Sequence, residues 1–286
     1  MPATNPKNQY HIRLRGWLLV GLLAFTAAAA LVLILDLWPR QVKLNGLLVD
    51  LELLGPDPSR YRELRDAFTR RLPEEVPSVG DFRVTLEYEH FSQLDRAFFE
   101  SHRVDFVLLS PQSTPWHMYR GDAAEKLKKL GDLLKEIALS QNRAVLGICG
   151  GHQFLALAFG GRVGFIDPNL DEIPPERYPK GARSERGVVV LETVKDDPIF
   201  EGVAIHPGRF RAVESHYEEV KEIPRPFINL ARSETSAIQV IRIPGKTVYG
   251  VAFHPERGWD ACGEPESVSP DGKLILANFL RMVSRN

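Results

Sequence analysis

The amino-acid sequence predicts an α/β fold with a doubly wound, mainly parallel sheet. Short apolar runs of strand character alternate with segments of helical spacing, as in βαβ units. Predicted strands cover residues 44–51, 82–88, 104–110 and 144–148, and predicted helices cover residues 59–71, 91–100 and 123–139. Strand-like runs follow at residues 188–191, 210–214, 227–231, 236–243 and 247–253, before a final amphipathic helix. Residues 167–187 show no hydrophobic periodicity. This is typical of a loop, either at the entrance of the active site or elsewhere on the solvent-exposed surface.

The segment 144–161 predicts a reactive cysteine between a strand and a helix. The apolar run 144–148 leads into Cys149, and an apolar run with helical spacing follows and ends at Gly160 and Gly161. Glycines on both sides permit the sharp turn of a nucleophile elbow, which exposes the side chain above the sheet. The N-terminus of the following helix favours a thiolate at Cys149. The alternative is a buried structural cysteine.

Two signatures resemble those of the class I, triad-type glutamine amidotransferases. The first is Gly147-Ile148-Cys149-Gly150-Gly151-His152-Gln153, and the second is Tyr249-Gly250-Val251-Ala252-Phe253-His254-Pro255-Glu256. They lie about a hundred residues apart in the order expected for that family, and the resemblance extends from about residue 44 to the C-terminus. Ala252 is a departure, since glutamine is common there in the family.

The resemblance implies a catalytic triad of Cys149, His254 and Glu256. His254 follows an apolar strand, and Glu256 is placed to accept a hydrogen bond from its imidazole. Taken alone, the His-Pro-Glu sequence also suits a surface turn. The implied reaction is attack of Cys149 on the glutamine side-chain amide, loss of ammonia, and hydrolysis of a γ-glutamyl thioester.

The resemblance also implies how the substrate is held. Gly150 is expected to give the first oxyanion-hole N–H, because it follows the nucleophile. Gln153 is expected to line the glutamine pocket, and the segment Ser215-His216-Tyr217 to clamp the α-substituents; His216 alone also suits a structural histidine. In the loop after the third strand the family usually carries a Gly-Gly-Pro sequence, whereas this chain reads Ser110-Pro111-Gln112-Ser113-Thr114-Pro115-Trp116. Because proline has no N–H, Gln112 is the predicted second donor.

The N-terminal segment predicts a single-pass membrane anchor. No charged residue occurs from Gly16 to Leu35, about the length that crosses a hydrocarbon core, and Trp17 and Trp38 lie near its ends. A cleaved signal peptide and a buried core helix are the alternatives. Basic residues occur on both sides, which leaves the orientation of the catalytic domain open. The predicted organisation is a basic tail (1–15), a transmembrane anchor (16–38), a linker (39–43) and a glutamine amidotransferase-like domain (44–286).

Composition narrows the functional classes. The 286 residues carry a net charge of −1, which does not suggest a nucleic-acid surface. The only cysteines are Cys149 and Cys262, which argues against a disulfide framework or a metal cluster, and no cofactor is expected.

The predicted function is a membrane-anchored hydrolase of glutamine or a related γ-glutamyl amide. Its predicted partners are that substrate, the lipid bilayer and a separate ammonia-accepting synthase subunit. Two alternatives stay open: a γ-glutamyl peptidase on the same fold, and a non-catalytic regulatory or binding subunit with an impaired oxyanion hole.

Overall fold

The computed structural model describes residues 42–170, 173, 175–203, 208–257 and 270–286. These residues belong to one compact unit, Val42–Asn286. In chain order the described strands are β1 (Val42–Asp50), β2 (Phe82–His90), β3 (Phe106–Leu109), β4 (Ala144–Ile148), β5 (Arg162–Phe165), β6 (Glu185–Thr193), β7 (Arg209–His216), β8 (Glu218–Glu222), β9 (Ile228–Arg232), β10 (Val240–Arg242) and β11 (Val248–Val251).

Nine of these strands form the central sheet, in the order β2-β1-β3-β4-β11-β10-β9-β6-β7. The first five strands in this order, β2, β1, β3, β4 and β11, are mutually parallel. The remaining four strands, β10, β9, β6 and β7, extend the sheet by antiparallel pairing. Four antiparallel steps separate β11 from β7, so β7 runs in the same direction as β4. The carboxyl ends of β4, β11 and β7 therefore meet at one edge, where sites of open α/β sheets lie.

Helices cover both faces of the sheet. The described α-helices are α1 (Arg62–Asp66), α2 (Leu72–Glu75), α3 (Arg96–Ser101), α4 (Asp122–Leu139), α5 (Gly150–Ala158) and α6 (Pro270–Val283). Consecutive strand residues point to opposite faces: Leu108 packs in one apolar cluster with Phe279 of α6, and Val107 packs in the other with Leu134 of α4. Burial on both faces explains why the parallel strands are continuous apolar runs.

The structure confirms the predicted α/β fold and the parallel strands at its centre. The antiparallel pair of β5 and β8, a separate two-stranded sheet, was not predicted. Glu218–Glu222 is charged at every position except Val220, so its buried residues are recognisable only once the pairing is known. The predicted helix 91–100 is interrupted before Arg96, where α3 begins. Asp95 caps the N-terminus of α3, since its side chain accepts a hydrogen bond from Phe98 N–H.

The prediction of a single-pass membrane protein is corrected by the structure. Among the described residues, no helix is long and apolar enough to cross a bilayer. The longest of them, α4, has 18 residues and carries charged side chains along its exposed face. The predicted tail and anchor, residues 1–38, lie outside the described residues.

Candidate active site

A cavity of about 500 Å³ opens at the carboxyl edge of the central sheet. That volume lies within the range of about 300–1,000 Å³ that is usual for small-molecule sites. Among its lining residues are all three members of the predicted triad, together with Gln112 and Gln153. The predicted site residues are thus brought to one place by strands that are distant in sequence.

Cys149 occupies a strained turn between β4 and α5. Its φ of 49° and ψ of −104° lie where residues other than glycine are rare. Its N–H donates to Val251 O at 2.8 Å, which ties the turn to β11. The turn is tight: a Cβ at Gly147 would lie 2.4 Å from Gly151 O. Glycine at position 147 is therefore a steric requirement of the turn that presents Cys149.

His254 is held between Cys149 and Glu256. Its Nδ1 lies 2.8 Å from Glu256 Oε1, and all three side chains are buried. Because Nδ1 is taken by Glu256, Nε2 is the imidazole nitrogen left for the Cys149 thiol, which lines the same cavity. Burial alone would lower the pKa of His254, but the Glu256 carboxylate and the Cys149 thiolate raise it to about 10. The arrangement can therefore hold a thiolate–imidazolium pair, which supplies both a nucleophile and a proton donor.

Removal of the Cys149 thiolate is expected to lower the pKa of His254. The Cys149→Ala substitution deletes a negative charge and a hydrogen-bond acceptor that favour the imidazolium, while Glu256 stays in place. Histidine proton chemical shifts followed against pH in the wild type and the variant provide the measurement. Cys262→Ala is the control and should leave the titration unchanged. A pKa that stays the same or rises in Cys149→Ala would show that the two side chains are not electrostatically coupled.

The loop of residues 110–116 packs directly against the elbow. A Cβ at Gly150 would lie 2.9 Å from the main-chain nitrogen of Gln112 and 2.3 Å from its Cγ. Within the described chain, Gln112 N–H has no hydrogen-bond acceptor. Gly150 begins α5, so its N–H has no partner within the helix either. The main-chain nitrogen of Gln112 therefore lies close to Gly150, the residue that follows Cys149.

Gln153 is fixed by contacts that the sequence did not reveal. Its Oε1 accepts from Trp116 Nε1 at 2.7 Å, and its Nε2 donates to Glu218 O at 2.6 Å. Ser215 and Tyr217 line the same cavity. Arg186 stacks over the Tyr217 ring, with its guanidinium carbon 4.7 Å from the ring centroid.

His216 lies in a buried ionic cluster. Its Nε2 is 3.1 Å from Glu214 Oε2 and 3.4 Å from Glu185 Oε2, and its Nδ1 is 2.9 Å from Glu218 O. Burial opposes a positive charge on His216, but the two carboxylates hold its pKa well above the ordinary value. Glu185, Glu214 and His216 are also a group whose ligand atoms converge closely enough to hold a metal ion. Burial raises the pKa of the Glu214 carboxyl group above its ordinary value, although His216 lies beside it.

Trp116, Glu185 and Glu214 were not identified from the sequence as parts of the site. A sequence signal existed for Glu214. It precedes His216 by two residues on a strand, and residues two apart on a strand lie on the same face. Trp116 and Glu185 reach the site through pairings between distant segments, which have no local sequence signal.

A buried thiol at a strained elbow, beside a histidine bonded to a glutamate, defines an α/β protein with a site of the cysteine-hydrolase type. The chain belongs to the class I glutamine amidotransferase family, whose model matches residues 73–280. This result confirms the family resemblance seen in the two sequence signatures.

Sequence relatives support this assignment, and a solved structure shares the fold. Over 141 residues the chain is 38% identical to a subunit of the glutamine-hydrolysing GMP synthase of Pyrococcus abyssi, an alignment that covers 49% of this chain and 61% of that protein. It is 35% identical over 162 residues to the corresponding GMP synthase subunit of Methanocaldococcus jannaschii, which covers 57% of this chain and 70% of that protein. A glutamine amidotransferase structure from Thermotoga maritima shares the fold, with a TM-score of 0.54, 20% identity, and coverage of 85% and 99% of the two chains.

Proposed function

We propose that this chain is a glutamine-hydrolysing enzyme that uses Cys149, His254 and Glu256 as its catalytic triad. The observation that carries the proposal is the meeting of these three side chains in one cavity, with His254 Nδ1 hydrogen-bonded to Glu256. Beside them lie the main-chain N–H groups of Gly150 and Gln112, which have no acceptor among the described residues. Membership of the family supports the reaction type.

In this mechanism the Cys149 thiolate attacks the side-chain carbonyl carbon of glutamine. The N–H groups of Gly150 and Gln112 stabilise the oxyanion of the tetrahedral intermediate. The C–N bond breaks, and His254 Nε2–H gives its proton to the departing nitrogen, which leaves as ammonia. Water then attacks the γ-glutamyl thioester while His254 accepts a proton, and glutamate and the Cys149 thiolate are released. Glu256 keeps the imidazole oriented and stabilises its positive charge.

We further propose that the ammonia passes to a separate synthase subunit. The support comes from the relatives, which are named as subunits of a glutamine-hydrolysing GMP synthase. Mixed with the synthase subunit of such an enzyme, the chain should let glutamine replace free ammonia as the nitrogen source for GMP. Synthesis that still needs added ammonia in the presence of glutamine would contradict this pairing.

Hydrolysis of γ-glutamyl amides larger than glutamine is a second candidate activity. The cavity extends beyond Cys149 to Arg60, Tyr178 and Arg257, so the catalytic residues do not close it off. This extension leaves room for a substituent on the amide nitrogen.

The function is tested by measuring the ammonia or amine released from glutamine, asparagine and a γ-glutamyl dipeptide. Glutamine should be hydrolysed, and asparagine, which is one methylene shorter, should react at least tenfold more slowly. A γ-glutamyl dipeptide that reacts faster than glutamine would favour the peptidase activity. No turnover of any of the three would contradict the enzyme proposal and favour a non-catalytic role.

A further inference from the structure

The loop that carries Gln112 is held by a buried carboxylate from a neighbouring strand. Glu52 follows the carboxyl end of β1, which pairs with β3, and the loop begins where β3 ends. Glu52 Oε2 accepts from Ser113 N–H at 2.8 Å and from Ser113 Oγ–H at 2.6 Å. Glu52 Oε1 accepts from the Thr114 hydroxyl and from Leu53 N–H. Three of these four donors belong to the two residues that directly follow Gln112.

We propose that Glu52 is the positioning residue of the oxyanion hole in this glycine-free loop. Its carboxylate fixes Ser113 and Thr114, and thereby keeps the preceding peptide N–H, that of Gln112, beside Gly150. The inference rests on the proposed glutamine hydrolysis, because that reaction generates the oxyanion.

The chemistry of the contact suits this role. Glu52 is only 2% exposed, and a buried carboxylate is costly unless its oxygens accept hydrogen bonds. Burial alone would raise the pKa of Glu52, but the hydrogen bonds from Ser113 and Thr114 lower it below the ordinary value. The group is thus ionised at neutral pH, and hydrogen bonds to an ionised acceptor are about twice as strong as neutral ones.

A second contact near the end of β1 restrains the loop at Pro111. Tyr61 donates through its hydroxyl to Asp50 at the end of β1, and that hydroxyl lies 3.5 Å from Pro111 O. Gln112 is therefore flanked by one residue near Tyr61 and one bonded to Glu52. Contacts to the end of β1 and to Glu52 therefore restrain this glycine-free loop on both sides of Gln112.

The Glu52→Gln variant tests the proposal. The amide has nearly the same size but is uncharged and presents an NH2 group in place of one accepting oxygen, so it cannot accept from both Ser113 N–H and Leu53 N–H. We expect kcat for glutamine to fall by about tenfold to a hundredfold, since loss of a whole oxyanion donor costs about 10²–10³. KM should stay within about twofold. Alkylation of Cys149 by iodoacetamide, which needs no oxyanion hole, should keep its rate.

Asp197→Asn is the matched control. Asp197 is also a buried carboxylate with several partners, Ile199 N–H, Arg242 and the Tyr249 hydroxyl, but it does not line the catalytic cavity. This variant should lower stability without lowering kcat. If both variants lose kcat in proportion to stability, Glu52 has only a structural role and the proposal is overturned.

Amide hydrogen exchange gives a readout that does not depend on turnover. Exchange at Ser113 N–H should accelerate at least tenfold in Glu52→Gln, and exchange in the core strand β4 should not change. Unchanged exchange at Ser113, or an unchanged kcat in an enzyme that hydrolyses glutamine, would overturn the positioning role. A wild type that does not hydrolyse glutamine would contradict the proposed function instead, and the exchange result would still decide whether Glu52 holds the loop.

Discussion

Substitution of Cys149 by alanine is expected to lower kcat for glutamine hydrolysis by about a millionfold, a loss typical of removing the nucleophile of a triad. The variant keeps the cavity and the two main-chain donors, but no group remains that forms the γ-glutamyl thioester. Steady-state ammonia release provides the measurement. Because triad members act as a unit, His254→Ala should cause a comparable loss, and the double variant should lose little more.

Cys262→Ala is the control for this experiment. Cys262 carries no role in the proposed mechanism, so its variant should keep the wild-type rate. If Cys149→Ala keeps turnover within tenfold of the wild type, a different nucleophile performs the reaction. If Cys262→Ala alone inactivates the protein, the assignment of the nucleophile is wrong.

Substitution of Gln112 by proline is expected to cost about 3 kcal/mol of transition-state stabilisation, or roughly a hundredfold in kcat. Proline removes the main-chain N–H that lies beside Gly150. Alkylation of Cys149 by iodoacetamide should be largely unaffected, since the thiol and His254 are unchanged.

Two companion variants separate loss of the N–H from loss of the side chain. Gln112→Ala keeps the N–H and should keep turnover near the wild-type value. Glycine at both Pro111 and Gln112 should preserve or raise turnover, because the loop gains conformational freedom without losing the second donor. Wild-type turnover in Gln112→Pro would show that the second donor comes from elsewhere.

The sequence predicted the parts of the fold that have local signals. The apolar runs of β1, β3 and β4 identified parallel strands because both faces of each strand are buried. The elbow was predicted because glycines flank Cys149 within a few residues. The strands β5 and β8 were missed, since each is short and only their mutual pairing makes them a sheet.

The site shows the same division between local and long-range information. His254 and Glu256 are two residues apart, so their pairing could be predicted from adjacent positions in the chain. Glu52 lies about sixty residues before Ser113, and its role follows from the pairing of β1 with β3. The rule that sites lie at carboxyl ends of strands, applied to the end of β1, would have drawn attention to Glu52.

Affinity labelling of the nucleophile tests the central claim most directly. A diazo-ketone analogue of glutamine alkylates the thiolate that normally attacks the side-chain amide, and mass spectrometry of the digested protein locates the adduct. The account predicts one adduct, on Cys149, whose formation is slowed by excess glutamine and abolished in Cys149→Ala. An adduct on Cys262 alone, with Cys149 unmodified in the folded protein, would contradict it.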